Sequence, residues 1–223
     1  MLRIILFTIV LSCLFIGGCK KCDCPESPLT GTFTTTFQPG PEGKDVMVES
    51  LMPVTPFPND RRLFLMAGTW GLVPGETRSY IQFDYSTIPA DATINSAILT
   101  LYADTFDVGI GSYPNGHSEL TGSNDWYINH VTSSWSEATL TWSTQPTSDG
   151  IGQINMAGTS NRSQTYTVDI TNFVKEEFEN PGTYHGIVMR LETEVEYRGI
   201  MFCSSDHSSV QNRPRLDLTY TVK

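Results

Sequence analysis

Arg215-Leu216-Asp217-Leu218-Thr219-Tyr220-Thr221-Val222 alternates without a fault up to the penultimate residue of the chain. A period of two puts Leu216, Leu218, Tyr220 and Val222 on one face. Arg215, Asp217, Thr219 and Thr221 fall on the other, the pattern of a half-buried antiparallel strand. The same period recurs upstream: Ala97, Leu99, Leu101 and Ala103 share a face, as do Tyr166, Val168 and Ile170, and Ile187, Met189 and Leu191. Ser79, Ile81 and Phe83 point opposite to Arg78, Tyr80, Gln82 and Asp84. Short alternating runs bounded by Gly, Pro, Asn and Asp predict an all-β, antiparallel β-sandwich.

One stretch has the helical period. Phe173, Val174 and Phe178 share a face between Thr171 and Phe178, with Asp169 or Thr171 as cap and Asn180-Pro181-Gly182 as the stop. Residues 108–124, rich in Gly, Ser and Asn, predict a long loop. Glu192, Glu194 and Glu196 alternate, which predicts a solvated strand edge. Structural calcium would relieve their repulsion; no other cofactor is expected.

The formal net charge of −10 sets the chain against polyanions, so nucleic acid is excluded as a partner. At the N-terminus, Arg3 precedes an apolar run from Ile4 to Ile16. A helix of that length covers about 20 Å at ~1.5 Å per residue, short of a bilayer core of roughly 30 Å. It reads as a signal-peptide core. Ile16-Gly17-Gly18-Cys19 is similar to the lipobox of bacterial lipoproteins, where the thiol takes a diacylglycerol. The expected division is signal peptide 1–18, lipidated Cys19 and flexible tether 19–36, and one domain 37–223. The expected location is the outer membrane, facing periplasm or medium, with the membrane contacted through lipid alone.

Cys22 and Cys24 sit in the tether, too close for an unstrained disulfide. Cys203 lies in an apolar segment and reads as a buried small hydrophobe. No Cys/His spacing resembles a zinc site.

Five segments, in order, carry a family resemblance. They are Arg78–Pro89 (RSYIQFDYSTIP), Ala92–Tyr102 (ATINSAILTLY), Trp135–Trp142 followed by Gln145-Pro146, Val168–Val174, and Ser204–Asp206 with Arg213–Tyr220. Together they resemble the disaggregatase-related DNRLRE domain, also classed as carbohydrate-binding module family 96, over roughly residues 38–222. The resemblance implies a β jelly roll that binds polysaccharide or oligosaccharide, with a uronan bound through basic side chains as one described mode. It implies no catalysis. The rival readings are an adhesion module for protein or cell-wall material and, more weakly, a polysaccharide lyase or hydrolase. Glu137, Asp169 and Asp206 are carboxylates of the type glycosidases pair, but spacing singles out no pair.

Candidate sugar platforms are Trp70, Tyr113, Trp126 and Tyr127, which lie in or beside Gly-rich loops. Trp135 and Trp142 belong to the resembled framework and read as packing. Lys44, Arg61, Arg62 and Arg78 hold most of the basic charge early in the domain. If they converge, they form a positive site in which Arg pairs a uronate bidentately. His117, His130, His185 and His207 are scattered and suggest no catalytic triad.

Overall fold

The computed structural model describes residues 30–105 and 116–223. Cys19 and Tyr113 lie outside them. In chain order the elements are β1 (Gly31–Phe37), β2 (Lys44–Glu49), β3 (Arg62–Trp70), β4 (Val73–Gln82), β5 (Thr93–Leu101) and β6 (Ser118–Glu119). There follow β7 (Trp126–Val131), β8 (Ser148–Met156), β9 (Tyr166–Asp169), α1 (Thr171–Glu179), β10 (Ile187–Leu191), β11 (Arg198–Cys203) and β12 (Arg215–Val222). Two antiparallel sheets face each other. The smaller runs β1-β12-β5-β9 and the larger β6-β11-β3-β4-β10-β7-β8, with β2 branching onto β4.

The expected faces hold. Ala97, Leu99, Leu101, Tyr166, Val168, Ile170, Ile187, Met189, Leu191, Leu216, Leu218, Tyr220 and Val222 all lie in the core between the sheets. Each large apolar side chain buried there contributes roughly 1.5–3 kcal/mol. The wet side of β12 meets β1, where Thr32 and Thr34 share hydroxyl bonds of 3.1 Å with Thr221 and Thr219. The domain therefore starts earlier than expected. Residues 31–36, assigned to the tether, form an edge strand because Phe33 and Phe37 pack onto the core.

Helix α1 buries Phe173 and Val174. Its N-cap residue is Ile170, without a side-chain cap, and Asp169 instead accepts from the Thr171 N–H at 2.9 Å. The run Glu192–Glu196 is not a strand. β10 ends at Leu191, and the acidic stretch connects β10 to β11. Glu194 folds back onto Arg78 at 2.9 Å and Arg190 at 3.6 Å, so its charge is neutralised by arginine.

Both faces of the larger sheet are covered in places. Tyr80, on the face opposite Ile81, is 2% exposed. It packs with Val46, Val48, Val131, Leu140 and Val188 beneath Trp135 and Trp142. A separate apolar cluster of Met47, Phe64, Met66 and Met201 joins β2, β3 and β11.

Candidate functional site

Over that second cluster lies a groove of about 340 Å³. Alternation in β3 creates its floor: Leu63, Leu65 and Ala67 enter the main core, so Phe64 and Met66 must face the other way. Met47 and Met201 complete the floor, and Leu51, Met52 and Trp70 form walls. Four of the chain's seven methionines line this groove. Their unbranched, polarizable side chains let the floor adapt to an apolar ligand face.

The hairpin between β3 and β4 sets the position of Trp70. Trp70 pairs with Val73 across a two-residue turn in which Gly71 and Leu72 have φ of 57° and 71°. Positive φ at both turn residues matches the right-handed twist of the flanking strands. Gly75 makes room beside it: a Cβ there would meet Leu51 at 2.7 Å and Trp70 at 3.2 Å. Thr69, next to Trp70, shares a 2.9 Å hydrogen bond with the Tyr197 hydroxyl.

Polar groups ring the opening. Arg62 donates from its Nε and its backbone N–H to Asp60 Oδ1, at 3.1 and 3.0 Å, and its guanidinium lies 4.9 Å from the Phe64 ring centre. The Asx-type turn at Asp60 thus fixes both residues. Glu49 and Thr77 also line the groove. Burial raises the Glu49 carboxyl above its ordinary range. The Thr77 hydroxyl accepts from the Met66 N–H at 2.9 Å.

Of the expected site residues, the structure brings Trp70 and Arg62 together here. The four basic residues do not converge into one positive site. Arg61 neighbours Arg62 but does not line the groove. Lys44 and Arg78 lie over other rings, 4.2 Å from Trp135 and 4.5 Å from Trp142. Tyr127 sits half-buried in β7, 5.4 Å from the Arg190 guanidinium.

Trp126 is not a platform. It is 1% exposed and lies in the main core. Trp126, Ile128 and His130 alternate inward along β7, and the Trp126 ring meets Tyr166 and Phe202 edge-on, at 5.3 and 5.5 Å. Trp135 and Trp142 pack as framework, and Trp135 Nε1 donates to the His185 carbonyl at 2.9 Å.

Sequence reading missed Met47, Glu49, Phe64, Met66 and Met201. They come from the consecutive strands β2 and β3 and from the distant β11, and only the sheet's second buried face unites them. It also missed a convergence of carboxylates. Asp45, Glu137 and Asp206 bring oxygen atoms within 4.8 Å of one another. These are hard donors of the kind calcium takes. Burial pushes Asp45 up to about 7, while Ser205 bonds both its oxygens, from N–H at 2.8 Å and hydroxyl at 3.0 Å.

A half-buried tryptophan at the lip of an apolar groove, with a fixed arginine–carboxylate pair beside it, can hold a ring that is apolar on one face and hydroxylated at its edge. None of the curated proteins compared matches the chain. The model of carbohydrate-binding module family 96 matches residues 36–220. With a match over most of its length and the two-sheet fold described above, the chain belongs to carbohydrate-binding module family 96.

Proposed function

We propose that this protein is a lipid-anchored, non-catalytic module that holds a polysaccharide at the cell envelope, and that the groove beside Trp70 takes the sugar. The juxtaposition of Trp70 and Arg62 on one groove carries this reading. The C–H face of a pyranose packs on the indole, and Asp60, Arg62 and Thr69 meet its hydroxyls. Arg62 is already neutralised by Asp60. A uronan would have to displace that carboxylate, so the groove favours an uncharged glycan.

Cys19 supplies the anchor through its lipobox. Residues 20–30 separate it from β1. At most ~3.6 Å per residue, this tether lets the domain stand up to about 40 Å from the lipid surface. The envelope location follows from the anchor, and the outer membrane is the proposed membrane because no Asp follows Cys19.

Calorimetric titration with neutral and uronic oligosaccharides tests the reading. Binding of a neutral glycan that Trp70→Ala abolishes supports it, and silence toward every glycan at millimolar concentration refutes it. A second reading, adhesion to a protein, draws on the exposed Met52, Val54, Leu72 and Val73 around the same hairpin and loop. Silence toward every glycan, with cell-surface binding of the unanchored domain that Leu72→Asp abolishes, would favour it.

A further inference from the structure

Away from the groove, three different ligand types meet inside the protein. Asp104, Cys203 and His207 are 0, 1 and 0% exposed. A carboxylate oxygen, the thiol sulfur and a ring nitrogen of the three all lie within 4.8 Å of one another. The backbone brings them together. Residues 102–104 run antiparallel to β11, with the Ala103–Phe202 bridge and hydrogen bonds from Asp104 N–H to the Met201 carbonyl at 3.0 Å and from Cys203 N–H to the Tyr102 carbonyl at 2.9 Å. After Cys203 the chain turns, with the His207 N–H on the Ser204 carbonyl at 3.2 Å. That turn returns His207 to the cysteine four residues earlier.

From this geometry we infer that Asp104, Cys203 and His207 form a binding site for one divalent transition-metal ion of the zinc type. The donor set is one sulfur, one nitrogen and one oxygen. Zinc accepts all three, at about 2.3, 2.0–2.1 and 2.0–2.2 Å, in a tetrahedron whose fourth corner water can fill. Magnesium and calcium prefer all-oxygen sets, so the thiol selects against them. Contraction of the three side chains onto one ion is short, because their donor atoms are already neighbours.

Ser209 engages Nδ1 of His207, with its N–H at 3.1 Å and its carbonyl oxygen at 3.5 Å. Ligation through Nε2 puts the ring proton on Nδ1, so loading exchanges the N–H contact for donation to the Ser209 carbonyl. A ligating histidine commonly donates its second nitrogen to a carbonyl in this way. Ligation by the thiolate releases the Cys203 proton to water. The ion ties the end of the β5 segment to the turn after β11, two segments a hundred residues apart. It is thus a fastening within the sandwich, independent of the glycan groove.

The test uses the full chain in mild detergent, stripped with a chelator and titrated with Co²⁺ as a spectroscopic stand-in. The other four cysteines are first replaced, as Cys13→Ser, Cys19→Ser, Cys22→Ser and Cys24→Ser, so Cys203 is the only thiol left. The expected result is a thiolate-to-cobalt charge-transfer band with tetrahedral ligand-field bands, saturating at one ion per chain and displaced by Zn²⁺. Adding Cys203→Ser removes the charge-transfer band, and zinc raises the melting temperature only where Cys203 is present. Absence of the charge-transfer band in the four-cysteine variant overturns the inference, whatever the folding behaviour of Cys203→Ser.

Discussion

The Arg78 guanidinium lies 4.5 Å from the centre of the Trp142 ring. Glu194 grips it from the connection after β10, through Nε at 2.9 Å and Nη2 at 3.0 Å, and Gln145 accepts from Nη1 at 3.2 Å. The arginine therefore staples two connections onto the outer face of β4. Arg78→Ala is expected to lower unfolding free energy by about 2 kcal/mol, the scale of losing charged hydrogen bonds to a half-buried group. Arg78→Lys should recover little, because the bidentate fork is lost. Urea titration of both variants measures this. Glycan affinity should stay at the parent value.

Two tryptophans separate stability from binding. Trp126→Ala opens a cavity in the main core and should cost about 3–5 kcal/mol. Trp70→Ala removes a half-buried ring at the edge of the sheet and should cost far less, on the order of 1 kcal/mol. Chemical denaturation of the two variants side by side checks the contrast, and equal losses would place Trp70 among the framework.

Stability should fall between mildly acid and neutral pH. Burial holds the carboxyls of Asp45 and Glu177 up to about 7, against hydrogen bonds from Ser205 to Asp45 and from Gln82 to Glu177. Both folded values lie above the unfolded ones, so the folded state holds extra protons in between. Stability is then greatest near the ordinary carboxylate range and declines as pH rises toward 7. The decline from about pH 4 to about pH 7 is on the order of 2 kcal/mol per group. Asp45→Asn should flatten the profile in thermal melts across that range. An unchanged slope would remove Asp45 from the account.

The lipid anchor gives a plain separation. Intact mass of the parent should show a chain that begins at Cys19 and carries acyl increments, whereas Cys19→Ser should keep its leader and carry no acyl group. A parent chain without the acyl increments would contradict lipid attachment at that thiol.

The sheet faces of β5, β9 and β12 were legible because each strand buries mainly one side and keeps its alternation. Tyr80 was not, since a long connection carrying Trp135 and Trp142 buries the side that alternation leaves wet. Trp126 was misread through the glycine-rich residues before it, although Ile128 and His130 at the same spacing already signalled a strand face. The groove had only its lip in view: Trp70 and Arg62 flank turn signals, whereas the methionine floor depends on where β2 and β11 land. Cys203 and His207 are close in sequence, but Asp104 reaches them only through the antiparallel approach of residues 102–104 to β11.

Calorimetric titration of the parent chain and Trp70→Ala with one neutral oligosaccharide decides whether the sugar lies on the indole. Saturable binding by the parent and at least a tenfold weaker, or undetectable, response in the variant is expected, with the two proteins melting together. Equal affinity in both would place the sugar elsewhere and contradict it.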